Sequence, residues 1–381
     1  MNKAKLVIVT TVPETLDTIL RNQPAFLSNY FDVRLVSSPD VGRVENIIKH
    51  EKVKFYSIPM QRGISLLADF ISIWRMFRLL RKIRADIVHS YTPKAGLVTM
   101  IAAFFARVPI RVHTFTGLIF PSKQGFMQRV LILIDRLICL CATTIIPEGE
   151  GVKKDLLKFR ITTKPLNIIG YGNIAGVDTA YFDRNNKEIA LAVTRLKGQL
   201  NLSDENFLFC FVGRLNKDKG IHELLEAFKL LPETVCLCLV GELDKTAPIY
   251  EEDINYIKNC SRIYSLGFQK DIRPALAIAD ILVLPSYREG FPNVILQAGS
   301  MGVPVIATDI NGCNEVISNN HNGWLVPIKD IYALKEAMEQ AIHLRGTLTN
   351  MGDYSREIII NRFQQRDYWE KLKKFYDNLI C

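Results

Sequence analysis

The chain has 381 residues, of which 48% are hydrophobic and 23% charged, and it carries a formal net charge of +9. That is room for about two domains with cores of their own, and the composition is too apolar for a disordered chain. The positive balance admits an anionic membrane surface or a phosphorylated substrate as a partner, but no stacking motif of aromatic and basic residues is present, so no nucleic acid is expected.

From the amino terminus, KLVIVTT, DVRLVSSP, VKFYSIP, DIVHSY, IRVHTFT and TTIIPE read as short strands separated by helical stretches such as ISLLADFISIWRMFRLLRKIR. The opening MNKAKLVIVTTVPE runs from strand to loop without a secretory pattern, which predicts a cytoplasmic chain. The greasy stretch from Arg129 to Pro147 is interrupted by Asp135 and Arg136 and falls short of the ~20 apolar residues a spanning helix needs. A second series follows: FLFCFVG, IHELLEAFKLL, VCLCLVG, IYSLGF, ILVLPS, NVILQAGSMG and VPVIAT. Alternation of strand and helix predicts an α/β chain of two Rossmann-like, doubly wound domains, 1–170 and 200–350, joined by a connection over 171–199. They are expected to face a central cleft lined by the carboxyl ends of their strands. The amphipathic tail predicts a helix over 355–381 that packs back on the first domain.

The eight cysteines include Cys139/Cys141 and Cys236/Cys238, each pair inside an apolar run and without His or Cys neighbours at zinc spacing. Buried free thiols are expected, and no metal site.

Two stretches carry chemistry. In FLFCFVGRLNKDKGIHELLEAF a strand ends at Val212, a loop carries Gly213, Arg214, Lys217, Lys219 and Gly220, and a helix begins near Ile221. Small residues, free helix-end amides and fixed cations suit a diphosphate. It is not a P-loop, since GxxxxGK[ST] is absent, and a solvated basic loop is the alternative. In PSYREGFPNVILQAG, Glu289 follows a strand and Pro292 suits a first helical turn, so the acid stands at a strand's carboxyl end.

Together, VGRLNKDKG and PSYREGFPNVILQAGSMGVPVIATDINGCNEVI resemble the signature of retaining, nucleotide-sugar-dependent glycosyltransferases of the GT-B fold, family four. More loosely, HSYTPKAGL, RVHTFTGLIFP and IIPEGEGVKKDL are similar to the branch that builds bacterial surface polysaccharides on polyprenyl-diphosphate carriers. The resemblance implies that Arg214 and Lys219 bind the donor diphosphate and that Glu289 holds donor-sugar hydroxyls. It further implies donor contacts by Gly213, Gly290, Phe291, Pro292, Asn293 and Phe268. A glutamate usual for the ribose diol is replaced here by Gln297, which offers one acceptor and two donors. The family's sugar-contacting histidine position is Thr116, leaving His113 and His89 as candidates for contact with donor or acceptor.

The implied reaction moves a hexose or N-acetylhexosamine from UDP-sugar to a glycan on undecaprenyl diphosphate, without cofactor or metal. No Asp-x-Asp occurs in the chain. Alternatives are a GDP-sugar transferase of the same pathway, an epimerase that cleaves UDP-N-acetylglucosamine, or a non-catalytic binding protein. Between Ser65 and Arg84, Leu67, Phe70, Ile71, Trp74, Phe77 and Leu80 fall at helical spacing ahead of Arg75, Arg78, Arg81, Lys82 and Arg84. This is either an ordinary amphipathic helix or a contact with an anionic membrane, and Lys123, Gln124, Phe126, Met127 and Arg129 pose the same choice.

Overall fold

The computed structural model describes residues 3–61, 63, 65–203, 205–245 and 247–380. They form two compact units, one of residues up to Ala175 together with those from Arg366 on, the other Gly176–Gln365.

The first unit holds a six-stranded parallel sheet: β1 Lys5–Val9, β2 Asp32–Ser37, β3 Lys54–Ser57, β4 Ile87–Tyr91, β5 Ile110–Phe115 and β6 Thr144–Pro147, in the order β3-β2-β1-β4-β5-β6. Apolar runs suit strands covered on both faces. Successive side chains alternate between those faces, and the core divides accordingly. Val7, Val9 and Val88 pack with Met76, Leu80, Val98 and Ile138 from helices α1 Leu66–Ile83, α2 Pro93–Phe105 and α3 Gly125–Cys141. Leu6, Ile8 and Ile87 pack on the other side with Trp369, Leu372 and Tyr376 of the C-terminal helix Gln365–Ile380.

The second unit repeats the plan with β7 Phe207–Val212, β8 Val235–Val240, β9 Ile263–Gly267, β10 Ile281–Leu284, β11 Val305–Thr308 and β12 Gly323–Val326, in the order β12-β11-β10-β7-β8-β9. Its helices include α4 Ile221–Lys229, α5 Glu251–Asn259, α6 Asn293–Ser300 and α7 Leu348–Phe363. Both sheets thus have the doubly wound order expected. Their topology reverses between β1 and β4 in one and between β7 and β10 in the other, the places where such sheets bind ligands.

Three details differ from the expectations. Strand β12, GWLV, lies beside β11 although its four residues carry little pattern; Gly323 fits there because a β-carbon would collide with the Val305 carbonyl. The stretch 171–199 is no separate connection, since Lys187–Gln199 is a helix of the second unit packed on the helix Arg273–Ile278. The helix expected over 355–381 is two helices, α7 in the second unit and Gln365–Ile380 in the first. The break at Gln364 has a cause in Val177, whose N–H donates to the Phe363 carbonyl at 2.8 Å and whose carbonyl accepts from Gln365 N–H at 3.0 Å. All seven cysteines among the described residues are free, and Cys260 alone of these seven is not fully buried; Cys381 lies outside the described residues.

Candidate active site

The loops after β7 and β10 flank the reversal point of the second sheet, and they are tied to each other. Lys219 Nζ donates to Glu289 Oε1 at 2.5 Å, with both side chains largely buried, 22% and 13% exposed. Arg288 reaches Asp218 at 2.9 Å, and Tyr287 N–H donates to the Asp218 carbonyl at 2.8 Å. The Tyr287 hydroxyl donates to Glu223 of α4 at 2.6 Å. Burial, followed by that carboxylate, drives the Tyr287 pKa well up, so the hydroxyl stays a donor. The Arg288 pair is about half exposed and worth little, whereas the Lys219 pair is screened from water and sets the spacing of the loops.

Local sequence explains the turn that presents Lys219. Asn216 caps the short turn Lys217–Lys219 by accepting from Lys219 N–H at 3.1 Å. Gly220 then takes φ +66° to start α4, and a β-carbon there would overlap the Pro285 carbonyl oxygen. Opposite, Gly312 at φ +80° lets the loop after β11 press against Gly290 and Phe291, where a β-carbon would clash. The buried Cys313 thiol of the same loop has its pKa raised mainly by burial and next by the Glu289 charge.

Arg214, 58% exposed, is held by Asp244 Oδ2 at 2.9 Å, and the same oxygen accepts from Asn216 at 3.1 Å. Asp244 escaped the sequence reading, although its signal was legible: an acid in GELDK just past the carboxyl end of the VCLCLV strand. Gly213 follows β7 directly, and Gly290, Phe291 and Pro292 lead into Asn293, the first residue of α6. Phe291 is buried in the core against Phe363, so its ring is not available to a ligand and only its backbone is. Gln297 is half-buried one turn into α6. Phe268, 60% exposed, follows β9, two strands across from β7 and therefore about 10 Å away along the sheet edge. Lys219 and Arg214, the amides at the start of α6 and Glu289 are thus carried by loops at one edge, a set able to hold a diphosphate and a polyhydroxylated group together.

The first unit's candidates separate. Thr116 is half-buried just past the end of β5. His89 is interior, its Nδ1 2.6 Å from the Tyr376 hydroxyl, its Nε2 2.7 Å from the Thr114 hydroxyl and its ring stacked on Tyr91. His113 is equally buried, 2.9 Å from the Ser90 hydroxyl and wedged against Gly96 of α2. Burial holds both imidazoles neutral, His113 with a pKa down to about 3. Neither reaches solvent, so the expectation that they contact donor or acceptor is corrected: both are core residues.

On α1, the residues packed inward are Asp69, Ser72, Met76, Leu80 and Ile83. Leu67 and Phe70 point outward, 82% and 69% exposed, with Trp74 half exposed and stacked under Arg78 at 4.7 Å. Phe126 and Met127 are exposed at the start of α3. Among the described residues no helix is long and apolar enough to cross a membrane.

Two family models match the chain, Glycosyl transferases group 1 over residues 193–358 and a Glycosyl transferase 4-like domain over residues 26–172. The capsular polysaccharide biosynthesis glycosyltransferase CapM of Staphylococcus aureus is 31% identical, over 100% of this chain and 98% of the relative. The UDP-Gal:alpha-D-GlcNAc-diphosphoundecaprenol alpha-1,3-galactosyltransferase of Escherichia coli is 31% identical, covering 92% and 90%. In fold, the chain matches the crystal structure of Anabaena HepE in complex with UDP at a TM-score of 0.78 and 20% identity, covering 98% and 100%.

Proposed function

The chain belongs to the group 1 glycosyl transferases, enzymes of the GT-B fold, and on that footing we propose that it moves a hexose or N-acetylhexosamine from a UDP-sugar, with retention, onto a glycan carried by undecaprenyl diphosphate. The product would serve a capsule or another surface polysaccharide. The observation that supports this most is the Lys219–Glu289 pair at 2.5 Å with Arg214 on the same loop. Lys219 and Arg214 meet the donor diphosphate, while Glu289 accepts from donor-sugar hydroxyls. Lys219 lies between the carboxylate and the phosphates and offsets the repulsion between them.

As the bond between the anomeric carbon and the β-phosphate oxygen breaks, its electron pair leaves with UDP. The cations and the amides at the start of α6 stabilise that growing charge without a divalent ion. The acceptor hydroxyl oxygen bonds the anomeric carbon, and its proton passes to the departing diphosphate. The Escherichia coli relative, named for UDP-galactose and a diphosphoundecaprenol acceptor, favours UDP over GDP and a lipid-linked acceptor. The outward Leu67, Phe70 and Trp74 with the basic end of α1 would rest on the anionic inner face of the cytoplasmic membrane, where that acceptor is anchored.

Calorimetry of UDP, GDP and ADP with the purified protein in EDTA tests the donor site. The expected result is UDP binding that Arg214→Ala weakens. Binding of no nucleotide would overturn the reading, and transfer abolished by EDTA and restored by magnesium would refute its metal-free form. The anomeric proton coupling of the product, read by NMR, decides retention.

A further inference from the structure

A second constellation lies on α4 and α5, outside the groups assigned to the donor. His222 and Glu226 are four residues apart on α4 and so share one face of the helix, and Asp253 of α5 faces them. One ligating atom from each lies within 4.8 Å of the other two. His222 Nδ1 is 3.1 Å from Asp253 Oδ1 and 3.3 Å from Oδ2, and because a carboxylate only accepts, the imidazole proton sits on Nδ1.

Asp253 is the unusual member. Its side chain is 0% exposed, and His222 is its only hydrogen-bond or ion-pair partner among the described residues. A carboxyl group this deeply buried needs its oxygens met, and one imidazole, 31% exposed, meets them only in part. Glu226 is engaged by Lys229 at 2.5 Å, but that pair is a solvent-accessible contact within one helical turn, which a metal–carboxylate bond readily replaces.

We propose that His222, Glu226 and Asp253 form a binding site for a borderline divalent ion of the zinc type. One imidazole and two carboxylates are a suitable mixed nitrogen and oxygen set for such an ion, with a fourth position left to water. The ion takes the place of the Nδ1 proton between His222 and Asp253, and the imidazole carries its proton on Nε2 instead, so that Nδ1 presents a lone pair to the metal. Ligand atoms around zinc stand about 3.3 Å apart when the bonds are about 2.0 Å. The His222–Asp253 distance already matches, and the Glu226 carboxylate turns inward to close the set. The site clamps α4 to α5 beside the donor loop: the Tyr250 ring, which precedes α5, meets His222 edge-on at 5.0 Å, and Lys217 Nζ lies 4.4 Å over the same ring.

Calorimetric titration of the metal-stripped protein with zinc chloride tests this. The expected result is one zinc per chain, weakened at least about tenfold by both His222→Ala and Glu226→Gln, since loss of a ligand costs no less than loss of an outer-shell partner. Circular dichroism checks that each variant is folded, and the isosteric Glu226→Gln keeps the test decisive if His222→Ala is not. Absence of zinc binding overturns the proposal. So does binding that both variants leave unchanged, which would assign the ion elsewhere, for example to the half-buried Cys260.

Discussion

Replacing Lys219 by Met and, separately, Glu289 by Gln would act in opposite directions on UDP binding if Lys219 holds phosphate and Glu289 holds sugar. Lys219→Met deletes a charge-assisted hydrogen bond worth about 1.5–3 kcal/mol, so the UDP dissociation constant should rise roughly 10- to 150-fold. Glu289→Gln leaves Lys219 a neutral acceptor in place of the carboxylate 2.5 Å away and removes one negative charge beside the diphosphate. UDP should then bind as well as to the wild type or more tightly, while any advantage of UDP-sugar over UDP is lost. Stability should also fall in Lys219→Met, because Glu289, 13% exposed, would be left without its cation. Fully buried pairs lose about 3–5 kcal/mol on such a change and exposed ones almost nothing, so about 1–3 kcal/mol is expected here. Calorimetry with UDP and UDP-sugars, alongside thermal unfolding, reads both effects. Wild-type UDP affinity in Lys219→Met, or an equal loss in Glu289→Gln, would refute the division of roles.

Gly220→Ala forces a β-carbon into a φ of +66° and onto the Pro285 carbonyl, so a loss of at least about 2 kcal/mol is expected, measured by chemical unfolding; an unchanged midpoint would count against the turn as described. Asp135, buried in α3, has its pKa raised by burial to about 7. Above its ordinary pKa the unfolded carboxyl ionises first, so stability falls as pH rises toward 7, at up to ~1.4 kcal/mol per pH unit. Asp135→Asn should therefore stabilise the protein by roughly 2–4 kcal/mol at pH 8 and hardly at pH 4, and equal melting curves at pH 8 would contradict it. Reversing the charges of Arg78, Arg81 and Arg84 should abolish co-sedimentation with anionic vesicles while UDP affinity stays unchanged; failure of the unaltered protein to bind vesicles removes the membrane contact.

Much of this protein is legible without coordinates because strand identity is a local property. FLFCFV, VCLCLV and ILVL are apolar at every position, as suits a strand covered on both faces, and each is short and followed directly by glycine or proline. The loops bearing Lys219 and Glu289 were readable for the same reason, since each stands between a strand and a helix. Their direct contact was not: 70 residues separate the partners, and only the order β7 beside β10 brings them together. Remote packing likewise decided the fate of the histidines. His89 looks like any strand residue ahead of a loop until Tyr376, 287 positions later, covers it, and His113 until Gly96 allows α2 to close over its ring. The tail reads as one amphipathic helix, yet Val177 takes the hydrogen bonds that would have carried it through Gln364. Composition and periodicity determine what each segment prefers to be, because backbone preference and amphipathicity act within a few residues. Which side chains keep access to water, and which charges meet, depends on neighbours distant in the chain, so tertiary structure alone decided the Lys219–Glu289 pair, the grip of Asp244 on Arg214 and the burial of Asp253.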